Sequence, residues 1–168
     1  APNDNINRTW PGDPNGSEAA QVTYVFVNDF WKKIKPTHLI DLHCYNRFTI
    51  ACTLAEEDNK ESIEFAKASA FPLLRTTPKI QGGEKTATIT RWARENGVVS
   101  FAAEFSGQYI LIEKEVKRGV RMLSNCSKHI GIFEGELEGM DDKPMIVKDN
   151  KTEVHFVKAP IPGLFIEN

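Results

Sequence analysis

A short apolar run ends on an acid and an imidazole, Ile40-Asp41-Leu42-His43, with Asn7 and Arg8 upstream and Glu104 downstream. Imidazole is the commonest metal-binding side chain. A guanidinium fork matches a carboxylate in two-pronged geometry, and a glutamate can accept a proton from an attacking water. The trio of stations points to a hydrolytic zinc site. Asp41 is expected to orient the ring of His43, because a metal-bound histidine gives its other ring proton to a carboxylate or carbonyl. His43 is nevertheless one ligand where catalytic zinc takes three protein ligands and keeps one position open.

The elements that must position these residues read as alternating helices and strands, hence an α/β fold. Ser17 can cap a helix reaching about residue 34, with Ala20, Tyr24, Val27 and Trp31 on one face and Pro36 beyond its end. Residues 38–42 form a buried strand ending at the proposed ligand. A second strand is expected over 47–54 and a helix over 61–74 until Pro72 interrupts it. Gln81-Gly82-Gly83 is a turn, and a helix over 85–96 is closed by Gly97. Residues 98–104 form another buried strand, which puts Glu104 at a strand end as 38–42 does for His43. In open α/β sheets ligands collect outside the carboxyl ends of strands. A long helix is expected over 114–130, with Val116, Val120, Leu123 and Ile130 as its apolar stripe. Residues 135–143 are acidic and glycine-rich, followed by extended stretches at 145–147 and 154–158, so a domain boundary is placed near Gly139.

Composition excludes several classes. With 168 residues, 40% hydrophobic and 26% charged, there is enough chain for one domain and the start of another. The net charge is -2 and the 21 basic residues are scattered, which gives no phosphate-binding stripe and no expected nucleic-acid partner. No apolar run is long enough for a membrane helix. Three cysteines, Cys44, Cys52 and Cys126, form no Cys-x-x-Cys pair, and a reducing, cytoplasmic setting fits them. Cys44 adjoins His43 but points to the other side of an extended strand.

Five segments, in order, resemble the succinylglutamate desuccinylase/aspartoacylase family, zinc amide hydrolases related to the metallocarboxypeptidases. They are Asn7-Arg8-Thr9-Trp10-Pro11-Gly12, Asp41-Leu42-His43, Glu104-Phe105-Ser106-Gly107, the helix-like stretch 119–133, and Ala159-Pro160-Ile161-Pro162-Gly163-Leu164-Phe165. The resemblance implies a three-layer αβα zinc-peptidase-like domain over 1–139, with a mostly parallel or mixed sheet, and the start of an accessory β-domain over 140–168. It also implies one Zn2+ with His43 as a ligand, Glu104 as the catalytic base, and Asn7 and Arg8 as substrate-binding residues. The expected reaction is hydrolysis of the amide of a small N-acyl amino acid or acylated amine. Glu104 would take a proton from water and deliver it to the leaving amine. The family's His-x-x-Glu pair is missing from these residues, so the chain is expected to be a fragment that lacks the other two ligands.

Each residue has a plainer reading beside the chemical one. His38 lies on the opposite strand face from His43, and His129 and His155 read as structural or surface residues. Glu104 could be a buried carboxylate paired with an arginine such as Arg94. Arg47, Arg91 and Arg94 are second-line candidates for the acyl part of a substrate. A metallocarboxypeptidase and a metal-free carboxylate-binding pseudoenzyme are the competing classes; a homo-oligomer is compatible with either.

Overall fold

The computed structural model describes residues 4–45, 50–78, 88–107, 111–141 and 143–149. Arg47, the expected turn at Gln81-Gly82-Gly83, His155 and the segment 154–165 lie outside them. Strands β1 (His38–Cys44), β2 (Cys52–Glu56), β3 (Leu73–Thr77), β4 (Val99–Phe105) and β5 (Met145–Lys148) form one five-stranded sheet in the order β1-β4-β2-β3-β5. The helices are α1 (Glu18–Val25), the three-residue α2 (Lys32–Ile34), α3 (Lys60–Ala68), α4 (Ile89–Glu95) and α5 (Glu113–His129). β2 pairs parallel with β3, β3 parallel with β5, and β2 antiparallel with β4. The sheet is mostly parallel with helices about it, as an αβα layering requires.

The chain divides into two compact units, Ala1–Asp41 with Ile80–Ser100, and Leu42–Lys79 with Phe101–Asn168. In the first, Ser17 caps α1 by accepting from the Ala20 N–H, and α1 runs through a π-helical segment (Phe26–Trp31) into α2. The expected helix is therefore present over its whole length. Its buried face is Ala20, Thr23, Val27 and Trp31 rather than one that includes Tyr24, which is 38% exposed. Thr23 wins the inner position because its hydroxyl finds the Ala20 carbonyl and Thr9 within the fold. Trp31, Ala93 and Val98 form a core with Phe26, Leu39 and Trp92 packed on it. Gly12 sits at φ 101, where a Cβ would strike the backbone nitrogen of Tyr24, so the loop can approach α1 only through glycine.

In the second unit the expected helix over 61–74 is α3 alone, capped by Asn59, which accepts from the Ser62 N–H. The chain leaves the helix at Ala70, which has φ 56, and Pro72 cannot continue it. The residues after it, Leu73-Leu74-Arg75-Thr76-Thr77, become β3. Of the strand expected over 47–54, residues 47–49 lie outside the described residues, and β2 begins at Cys52 and runs to Glu56. Of the helix expected over 85–96, residues 85–87 lie outside the described residues, and α4 starts at a Thr88 cap and ends before Gly97 at φ 75.

The long helix forms as α5 but turns a different face inward. Met122, Asn125 and Cys126 are buried, whereas Val116, Val120 and Leu123 of the expected stripe are 48%, 64% and 46% exposed. The buried polar member of that face is satisfied, since Asn125 donates to the Glu138 carbonyl and accepts from the Glu138 N–H. A Cβ on Gly119 would meet the Phe105 ring of β4 at ordinary van der Waals distance. Phe65 of α3 meets Phe101 of β4 edge to face at 5.1 Å, a contact worth about 1 kcal/mol beyond its buried area. Phe101, Ala103 and Phe105 thus face the helices, and Ala102 and Glu104 face the opposite side of the sheet.

Candidate active site

The Asn7 corner belongs to the first unit. Asn5 caps a single 3-10 turn, Ile6–Arg8, accepting from the Asn7 N–H at 2.9 Å. The side chain of Asn7 then faces two elements at once. Its Nδ2 donates to Asp41 Oδ2 of β1 at 3.0 Å, and its Oδ1 accepts from the Ile89 N–H at the start of α4 at 2.8 Å. An orphan N–H at a helix start is commonly satisfied by a side chain, and here that side chain comes from a residue 82 positions away. Arg8 is exposed, and its Nη1 donates to the Asn7 carbonyl at 2.6 Å. Asn7 thus fixes the loop and Arg8 is the side chain the loop presents.

The carboxyl ends of β1 and β4 belong to the second unit. Backbone bonds fix their register: the Val99 N–H donates to the Thr37 carbonyl, and the Tyr45 N–H to the Phe105 carbonyl. The first joins the starts of the two strands and the second their ends, which makes the pair parallel. The first aligns His38 with Val99 and the second aligns Cys44 with Phe105, a single unslipped register that sets His43 directly beside Glu104. Paired residues on parallel neighbours lie about 4.8 Å apart and send their side chains to the same face. His43 and Glu104 are both half-buried on that face, while Leu42 and Cys44 alternate to the exposed opposite side. Cys44 is therefore turned away from His43.

Glu104 has a second flanking residue, because Cys52 is its partner across the antiparallel β2/β4 pair. Cys52 is 2% exposed, and burial raises its thiol pKa against the opposing influence of Arg75. Arg75 lies opposite Leu54, two residues along from Cys52 and so on the same face. Its Nη1 donates to the Tyr45 hydroxyl at 2.7 Å, and its Nε and Nη2 grip Asp149 at 3.3 and 2.8 Å. Burial is the largest influence and works to lower the Arg75 pKa, but the bonds to Asp149 together with the charges of Tyr45, Asp149 and Cys52 outweigh it and hold the guanidinium charged. Burial also raises the pKa of Tyr45, so the hydroxyl stays protonated at neutral pH.

Sequence reasoning singled out His43 and Glu104 and missed Tyr45, Cys52, Arg75 and Asp149. Period-two alternation from His43 would have reached Tyr45. Arg91 pairs with Glu95 at 3.0 Å along α4. His38 bonds the Thr37 hydroxyl at 3.0 Å, and His129 stacks on Phe65 at 6.2 Å. Among the described residues no group of three His, Cys, Asp or Glu side chains could hold a metal ion. These residues offer His43 as one ligand with a carboxylate beside it, and do not by themselves make a zinc site. No helix among the described residues is long and apolar enough to cross a membrane.

The parallel β1/β4 pair, with its imidazole and carboxylate side by side, sits in the fold of the succinylglutamate desuccinylase/aspartoacylase proteins. A succinylglutamate desuccinylase/aspartoacylase from Rhodobacter sphaeroides superimposes with a TM-score of 0.71 at 20% identity, over 88% of this chain and 45% of that one. The product-bound ectoine utilization protein EutE (DoeB) from Ruegeria pomeroyi does so with a TM-score of 0.72 at 19% identity, over 88% of this chain and 45% of its own. In sequence, the chain is 27% identical over 169 residues to the N-alpha-acetyl-L-2,4-diaminobutyric acid deacetylase of Halomonas elongata, covering 95% of this chain and 47% of that protein. The chain thus spans about half the length of the curated relative it matches. No protein-family model matches it.

Proposed function

We propose that this chain carries half of the active site of a deacylase that hydrolyses the amide of a small N-acyl amino acid or similar acylated amine. The observation that carries the reading is the β1/β4 register, which puts the half-buried imidazole of His43 next to the half-buried carboxylate of Glu104. The similarity to a diaminobutyric acid deacetylase and to succinylglutamate desuccinylase/aspartoacylase proteins supports the same chemistry. Glu104 accepts a proton from the attacking water and returns it to the departing amine nitrogen, a role that fits a carboxylate at a strand end. Arg8 binds a substrate carboxylate through its planar fork, and Asn7 holds the turn from which Arg8 projects. His43 would give one ligand to a zinc ion, the two others coming from outside the described residues. Such an ion would acidify a water and polarise a carbonyl.

The test is a panel of N-acyl amino acids and short peptides given to the full-length protein, with release of free amine as the readout. Hydrolysis of the acylated amino acids is expected. Release of carboxyl-terminal residues from the peptides instead would make the protein a carboxypeptidase, and carboxylate binding without turnover would make it a binding module.

A further inference from the structure

We propose that Tyr45 is a hydrogen-bond donor to bound substrate, delivered to the His43–Glu104 face by the Arg75–Asp149 ion pair; this rests on the deacylase reading above. Tyr45 follows His43 by two positions at the end of β1, and its backbone still pairs with Phe105. Its oxygen accepts from Arg75 Nη1 at 2.7 Å. The guanidinium is in turn committed to Asp149, with Nη2 at 2.8 Å from both carboxylate oxygens and Nε at 3.3 Å from one. Asp149 is itself tied to β3, its N–H donating to the Thr76 carbonyl at 2.8 Å.

This arrangement does two things. It spends the cation on a carboxylate of the same chain, so Arg75 is a positioning residue and not the group that captures a substrate anion. It also fills a lone pair of the phenol oxygen with a charged donor, which aims the hydroxyl proton away from Arg75. Among the described residues the thiol of Cys52, the residue paired with Glu104, lies on the same face and interacts with Tyr45. Sulfur is a weak acceptor. An oxygen of a bound substrate therefore displaces it at little cost, and Tyr45 gives substrate a donor whose direction is already fixed. Because the bond exists in the bound ground state, it contributes to affinity more than to the chemical step.

Steady-state kinetics of the full-length protein on the N-acyl amino acid panel, with Tyr45→Phe, Asp149→Asn and the double variant, test this. Tyr45→Phe is expected to raise KM about 3- to 10-fold, the range for one lost hydrogen bond, and to leave kcat within about twofold. Asp149→Asn should raise KM in the same way, and should add nothing to it once Tyr45 is Phe. A fall in melting temperature with KM unmoved would assign the triad to structure alone and overturn the inference, while wild-type activity left the deacylase reading standing. A wild type inactive on every substrate would overturn both. If Tyr45→Phe does not fold, Asp149→Asn decides: a raised KM supports the inference and an unmoved KM overturns it.

Discussion

Asn7 and Glu104 are both polar residues brought close to β1, yet they are used in opposite ways. Asn7 spans two elements of its unit, with its amide nitrogen on Asp41 and its amide oxygen on the first N–H of α4. Its chemistry is turned inward to hold a loop. Glu104 sits on a face of the sheet between an imidazole on one neighbouring strand and a buried thiol on the other. Its chemistry is gathered at a strand end, where α/β sheets place ligands. The contrast teaches that one residue of a motif can be committed to geometry while its neighbour stays exposed: Asn7 is bonded to two elements, and Arg8 is exposed with its Nη1 on the Asn7 carbonyl.

That contrast can be broken in several places. The largest effect concerns metal. The 168-residue chain alone, which offers His43 as a ligand among its described residues, is expected to lose essentially all zinc on dialysis. Stoichiometric zinc that disappears on replacing His43 would show that the chain completes the site unaided. Next, Asn7→Ala removes the acceptor of the Ile89 N–H and a donor to Asp41. A loss of about 2 kcal/mol is expected, and a chain of this size should melt roughly 5 °C lower. An unchanged melting curve would deny Asn7 its anchoring role.

Arg8→Lys should leave melting unchanged and raise KM roughly tenfold, because a point charge replaces a fork. A drop in stability with normal KM would reverse the roles assigned to the two neighbours. The smallest effect is at Asp4, whose carboxylate accepts from the Ser17 hydroxyl and the Ala19 N–H at the start of α1. These bonds hold its pKa below the ordinary 3.8. A carboxylate with a lowered folded pKa stabilises the fold above the unfolded value and stops doing so as pH falls through the folded one. The melting difference between wild type and Asp4→Asn should therefore be present at pH 6 and vanish in the acid range below 3.8.

Much of this was legible in the sequence because the signals are local. Ser17 caps its helix, Gly97 ends α4, and apolar runs closing on His43 and Glu104 mark two strands whose ends carry polar chemistry. What could not be read is which strands become neighbours. The 61-position step from His43 to Glu104 is set by tertiary pairing, and so is the place of Cys52 on the other side of Glu104. Arg75 was hidden because helical periodicity runs on from α3 up to Pro72, although the threonines after it favour a strand. On α5 the apolar stripe of Val116, Val120 and Leu123 gave the stronger periodic signal. The buried face is instead the one carrying Asn125, whose amide is matched by the Glu138 backbone, and a hydrophobic count does not weigh such a pairing.

The central claim is that Glu104, beside His43, moves the proton in amide hydrolysis. Its most direct test is the rate of free-amine release from N-acyl amino acids by the full-length protein carrying Glu104→Gln, compared with wild type at matched metal content. Glutamine keeps the shape and the hydrogen bonding but cannot accept the proton. The rate is predicted to fall at least about a hundredfold with metal content unchanged. A Glu104→Gln protein that retains full activity would contradict the account.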